Sequence, residues 1–153
     1  METKPTVYLD TGVFIALVKS ETDRVAACRD ALQDASEEKT WALTSALTVA
    51  EVVRGEGGTI PESAEPVIDS FFSSPWLRVA VVDQRVAMKA REISRLYHLK
   101  PPDAIHVATA ILYGASRIFT YDKDMLELTI PSIRISHPET IQPRLPFLPS
   151  AEP

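Results

Sequence analysis

Five short apolar runs punctuate this chain: TVYL at residues 6–9, WALT at 41–44, LRVAVV at 77–82, RIFTY at 117–121 and, more weakly, IRIS at 133–136. Each is too short for a buried helix and reads as a strand. Helical patterns fill the gaps. One starts near Thr11, an amphipathic one spans residues 23 to about 38, and others cover 45–54, 61–72 and 84–97. The last begins at Pro102, a residue suited to a first helical turn. Ser45 makes a capping start and Gly55, Gly57 and Gly58 an end, while Pro66 weakens the helix expected at 61–72. Strands alternating with helices predict parallel βαβ units, and hence a three-layer α/β/α domain with a central, mainly parallel sheet.

The chain has 153 residues, the size of one domain with a substantial core. The expected boundaries are a domain over residues 1–136 and a tail over 137–153, where five prolines in seventeen residues oppose helix. The longest apolar run, VFIALV, has six residues, far below a membrane span. METKPTVYLD has neither the basic start nor the apolar stretch of a signal peptide. The single cysteine, Cys28, excludes an internal disulfide and suits a reducing, cytoplasmic setting. It lies on the stripe Val25, Cys28, Leu32 and reads as a small core residue. The net charge of −5 argues against a general nucleic-acid coat protein but not against a nuclease, because local charge matters more than the sum.

Four acids stand in apolar company. Asp10 ends the first strand, Glu51 lies in SALTVAEVVRG, Asp103 opens PPDAIHVATAILYG, and Asp122 follows RIFTY. Any one alone is an ordinary cap or surface group. In a parallel sheet, however, strand ends of one polarity share an edge, and ligands bind in the crevice there. If the four converge about 6 Å apart, each pair repels by roughly 3 kcal/mol at an effective dielectric near 20. Six pairs reach roughly 17 kcal/mol, at or above the stability of a whole domain, about 5–15 kcal/mol. Such a group must take up protons or a cation. Oxygen donors select hard ions, so Mg²⁺ or Mn²⁺ is the expected cofactor, aided at Asp103 by the helix N-terminus.

The pieces VYLDTGVFIAL, LTSALTVAEVVRG, PPDAIHVATAI and IFTYDKDM, in this order and spacing over residues 6 to about 136, resemble the PIN-domain ribonucleases. The likeness is greatest to the VapC-type toxins of type II toxin–antitoxin pairs. It implies a PIN-like fold in which Asp10, Glu51, Asp103 and Asp122 bind Mg²⁺ or Mn²⁺ and cut single-stranded RNA. It also implies supporting hydroxyls at Thr11 and Thr120, an antitoxin partner and a homodimer. Met125 stands where the family commonly has an aromatic residue, and Asp124 competes with Asp122 as the fourth acid. The proline-rich tail is longer than in many members, which bears on oligomer and partner surfaces.

The chemistry expected is metal-assisted phosphodiester hydrolysis by one ion or two. His106, one turn after Asp103, is either a hydrogen-bonded helix residue or a general base. Arg54, one turn after Glu51, is the better candidate for a phosphate contact. Residues 83–100 carry Arg85, Lys89, Arg91, Arg95 and Lys100 against two acids, a net +3 in a chain otherwise at −8. That cluster reads as a solvated helix face or as an RNA contact. Phe71, Phe72 and Trp76 are either core or interface. Phosphohydrolases with an aspartate nucleophile need a second acid two residues on, where this chain has Gly12. A PIN-fold binding module without catalysis would have lost an acid, and none is missing. A PIN nuclease outside a toxin–antitoxin pair is the other alternative.

Overall fold

Successive residues of the first apolar run face opposite ways, and both directions are buried. Val7 and Leu9 enter one core, and Tyr8 between them enters another. That is why the strand runs are continuously apolar rather than alternating: each face of the sheet carries its own helical layer. The computed structural model describes residues 4–55 and 57–141. Its strands are β1 (Thr6–Leu9), β2 (Trp41–Ser45), β3 (Arg54–Gly55), β4 (Gly58–Thr59), β5 (Leu77–Ala80), β6 (Arg117–Phe119) and β7 (Arg134–Ser136). Its helices are α1 (Thr11–Val18), α2 (Val25–Ser36), α3 (Ala46–Glu51), α4 (Glu65–Phe72), α5 (Gln84–Tyr97), α6 (Pro101–Leu112) and α7 (Lys123–Leu126).

Five strands form one sheet in the order β5-β2-β1-β6-β7, with every neighbouring pair parallel. Helices α1, α2 and α4 supply one face, where Phe14 packs against Phe71 and Phe72. Helices α5 and α6 supply the other, through Val86, Ala90, Ile93, Ala104, Val107 and Ala108. Fully burying each aliphatic or aromatic side chain in these cores contributes about 1.5–3 kcal/mol. The three-layer architecture expected from the alternation is the one observed. Cys28 is buried in the α1–α2–α4 core, and no helix among the described residues is long and apolar enough to cross a membrane.

Several boundaries differ from the pattern. The helix expected over 45–54 ends at Glu51, because Val52 turns inward, 2% exposed, and Arg54 and Gly55 enter the small hairpin with β4. Residues 61–72 split into a 3₁₀ turn, Glu62–Ala64, and α4. Pro66 falls in the first turn of α4, where a missing N–H costs nothing. β5 stops at Ala80, and β6 stops at Phe119 rather than Tyr121. α6 ends in a Schellman arrangement, with Gly114 at φ 78° and the Ala115 amide donating to the Ala110 carbonyl. Residues 137–141 form neither helix nor strand, and the remainder of the expected tail, 142–153, lies outside the described residues.

Candidate metal and catalytic site

The carboxyl edge of the sheet gathers the acids by the direction of its strands. Asp10 follows β1 and caps α1, accepting the Thr11 amide on Oδ1 at 2.8 Å. Its backbone amide still donates to the Phe119 carbonyl at 3.0 Å, so the strand pairing holds it in place. The Thr120 hydroxyl, just past β6 and fully buried, donates to Asp10 Oδ2 at 2.7 Å. The same oxygen accepts the Asp122 amide at 3.0 Å, and Asp122 caps α7 through the Met125 amide. Met125 is itself fully buried beneath this turn.

Asp103 sits in the first turn of α6, after Pro101 and Pro102. One carboxylate oxygen each from Asp103, Asp122 and Asp124 lie within 4.8 Å of one another. Asp103 and Asp122 are half-buried and Asp124 is exposed, so the structure brings both competitors for the fourth role to Asp103. Burial raises the Asp103 carboxyl first. The charges of Asp122, Asp10 and Glu51 add to that against the opposing His106, and the group is pushed up to about 6. Asp103 therefore feels the other three expected acids.

The last residue of α3 is Glu51. Its Oε1 accepts the Thr11 hydroxyl at 2.9 Å and the His106 Nε2–H at 2.6 Å. His106 is 2% exposed, its Nδ1 lies 2.6 Å from the Tyr8 hydroxyl, and its Nε2 lies 3.4 Å from Asp10 Oδ1. Burial would raise Glu51, yet the hydrogen bond and charge of His106, with Thr11, hold it below the usual carboxylate range. The histidine moves oppositely. Burial would lower it, but the Glu51 hydrogen bond and the charges of Asp10, Glu51 and Asp103 raise it.

Placement of the remaining sequence candidates varies. Thr11 donates its hydroxyl to Glu51 and Thr120 donates its hydroxyl to Asp10. Arg54 is exposed on the β3–β4 hairpin, and no hydrogen bond or ion pair among the described residues joins it to the acids. On α5, Arg85, Arg91 and Arg95 face solvent, and Lys89 pairs with Glu92 at 3.4 Å. Sequence reasoning underrated His106 and missed Tyr8 altogether. The signal was available: His106 shares a helix face with Asp103, and Tyr8 shares a strand face with the position of Asp10.

Residues 7–130 match the model of the PIN domain family. The chain belongs to that family. This PIN domain also resembles solved structures at the level of the fold. A toxin–antitoxin complex from Klebsiella pneumoniae superposes with a TM-score of 0.60 at 22% identity, covering 88% of this chain and 99% of that one. VapBC2 from Rickettsia felis, bound to a promoter DNA fragment, gives a TM-score of 0.64 at 15% identity, covering 86% and 98%. VapC20 from Mycobacterium tuberculosis, a toxin that cleaves the sarcin-ricin loop, gives 0.60 at 18%, covering 77% and 91%. No curated protein sequence matches this PIN domain.

Proposed function

We propose that the chain is a Mg²⁺- or Mn²⁺-dependent endoribonuclease that cuts single-stranded RNA and serves as the toxin of a type II toxin–antitoxin pair. The observation behind this is the gathering of Asp10, Glu51, Asp103 and Asp122 from four separate elements of a PIN-family sheet. Among the described residues, no lysine or arginine forms an ion pair with any of them. Their donor set is all oxygen, Asp103 and Asp122 each place an oxygen within 4.8 Å of the other and of Asp124, and Asp103 resists ionisation. A hard divalent cation fits that set. Asp10, Glu51, Asp103 and Asp122 would hold it, with Asp124 beside Asp122. Bound there, the ion supplies Lewis acidity toward a scissile phosphate and offsets the carboxylate charge.

The chain's own groups do the rest. Thr120 and Thr11 keep Asp10 and Glu51 aimed, and Arg54 on its exposed hairpin offers a guanidinium to an RNA phosphate. The net charge of −5 disfavours the broad basic face that a rigid duplex requires, whereas single-stranded bases can be splayed into a crevice. The solved neighbours include toxins held by antitoxins, which supports a protein partner here. Phe71 and Trp76 are half-buried and line a groove with Leu17 and Leu32, a surface that an apolar antitoxin segment would fill. Exposed Val49, Val53, Val81, Val82 and Met88 offer apolar surface to a second copy, which supports a homodimer as the working form.

The test is cleavage of single-stranded and duplex RNA by the purified chain with Mg²⁺, with Mn²⁺ and with chelator. Wild type should cut single strands only with metal and leave 5′-phosphate ends, because water attacks phosphorus and the 3′ oxygen departs as an alcohol. Asp10→Ala and Asp103→Asn should be inactive. Cyclic 2′,3′-phosphate ends, or cutting that survives both chelator and Asp10→Ala, would overturn the assignment. Light scattering should report a dimer, and the neighbouring reading frame should encode a small protein whose co-expression yields an inactive complex.

A further inference from the structure

We propose that Tyr8 and His106 form a buried clamp that sets the position of Glu51, making both of them positioning residues for the nuclease site. This deepens the metal-nuclease proposal and rests on it. Three observations carry it. First, both ring nitrogens of His106 are engaged at 2.6 Å, Nδ1 with the Tyr8 hydroxyl and Nε2 with Glu51 Oε1. Second, the ring is 2% exposed and Tyr8 is fully buried, so a substrate hydroxyl has no route to either nitrogen. A general-base role for His106 is thereby disfavoured on access alone. Third, the Glu51 side chain is 34% exposed and ends a six-residue helix, a place where a glutamate would otherwise sample several rotamers.

The clamp works by hydrogen-bond polarity. A carboxylate only accepts, so Nε2 must carry a proton toward Glu51. In neutral imidazole the Tyr8 O–H then donates to Nδ1, and this bond fixes both the tautomer and the ring plane. The Thr11 hydroxyl adds a second donor to Oε1 at 2.9 Å. With both donors on Oε1, Oε2 has no hydrogen-bond partner among the described residues and is the oxygen left for the crevice. Hydroxyls of Thr48, Ser45 and Thr44 lie near the Tyr8 oxygen. A chain of outer partners that orients a ligand carboxylate commonly matters about 10–100-fold for affinity or activity.

The experiment compares wild type, Tyr8→Phe, His106→Gln, Glu51→Gln and the double variant His106→Gln/Glu51→Gln. Cleavage of single-stranded RNA is measured at saturating Mn²⁺, and denaturant melts identify any variant that fails to fold. Tyr8→Phe touches no acid, yet kcat should fall about tenfold with KM unchanged. The double variant should be little slower than Glu51→Gln alone, because His106 acts chiefly through Glu51, at 2.6 Å against 3.4 Å to Asp10 Oδ1. Full kcat in Tyr8→Phe, or additive losses in the double variant, overturns the clamp. A second arm needs no activity: the side-chain carboxyl carbon of Glu51, observed by NMR in metal-free protein, should shift in both Tyr8→Phe and His106→Gln. If it stays put in both, the clamp is overturned. If it shifts while wild type cuts no RNA, the clamp stands and the nuclease assignment is what fails.

Discussion

The Thr120 hydroxyl donates to Asp10 Oδ2 at 2.7 Å while accepting the Asp122 amide at 3.0 Å, so one oxygen ties the first acid of the chain to the last. Thr120→Val keeps the shape and deletes that oxygen. It strands a buried carboxylate oxygen and an amide, a loss of about 1–3 kcal/mol. Urea melts should show that loss, and RNA cleavage should fall with it. Thr120→Ser should retain most of both. A Thr120→Val protein as stable and active as wild type would show that the link is incidental.

Asp10 has two separable duties, because it also caps α1. Asp10→Asn keeps an oxygen for the Thr11 amide, removes the charge and puts an amide nitrogen where Oδ2 accepted the Thr120 hydroxyl, so it should be inactive and lose that link while keeping the cap. Asp10→Ala should be inactive and also lose about 1 kcal/mol with the cap. Equal melting temperatures for the two variants would argue against the cap.

The metal-free protein should lose stability as pH rises through the titration of Asp103. Its carboxyl is raised from 3.8 to about 6 by burial and by Asp122, Asp10 and Glu51, so ionising it is harder in the folded state. The associated stability is complete below the lower value and is lost as pH climbs to the upper one. In chelator, wild type should therefore fall relative to Asp103→Asn across that window, and the variant should be the more stable at neutral pH. Parallel pH profiles for the two proteins would refute the repulsion.

Divalent metal should reverse that loss. Mg²⁺ at about a hundred times its Kd stabilises a single-site protein by about 2.7 kcal/mol. The shift in melting temperature should be largest above pH 6, where Asp103 is ionised, and absent in Asp103→Asn. Calorimetry with Mn²⁺ should also rank the competing acids. Asp122→Asn should weaken binding more than Asp124→Asn, because Asp122 is anchored by its cap on α7 whereas Asp124 is exposed.

How much of this was legible in the sequence depended on what each residue needed from its neighbours. The strands and their parallel direction could be read because short, mostly apolar runs such as TVYL, LRVA and RIF alternate with helical patterns, a property local to each run. The acids were legible because a carboxylate in an apolar setting is conspicuous. The end of α3 was not, since Val52 leaves the helix to fill a core made by residues distant in the chain. Nor was the role of His106. Its partners Tyr8 and Glu51 lie 98 and 55 positions away, and only the packing of α6 against β1 and β2 brings them to it. Sequence reasoning gave a metal, with help from the helix N-terminus, as the compensation for Asp103, whereas the structure adds the His106 imidazole, whose charge when protonated opposes the raising of Asp103.

The central strand β1 has neighbours made at very different times. β2 pairs with it from 35 positions on, but the other edge waits for β6, as does Asp10 for the Thr120 hydroxyl 110 positions later. A ribosome makes the chain from the N-terminus. A product that stops before β6 holds Asp10, Glu51 and Asp103 but lacks Asp122, Thr120 and the strand that closes the sheet around them. Abortive fragments of this gene should therefore be harmless to RNA. For a protein proposed to injure the cell that makes it, the hazard begins only when translation of the domain is nearly finished, which leaves the interval of synthesis for a partner to arrive.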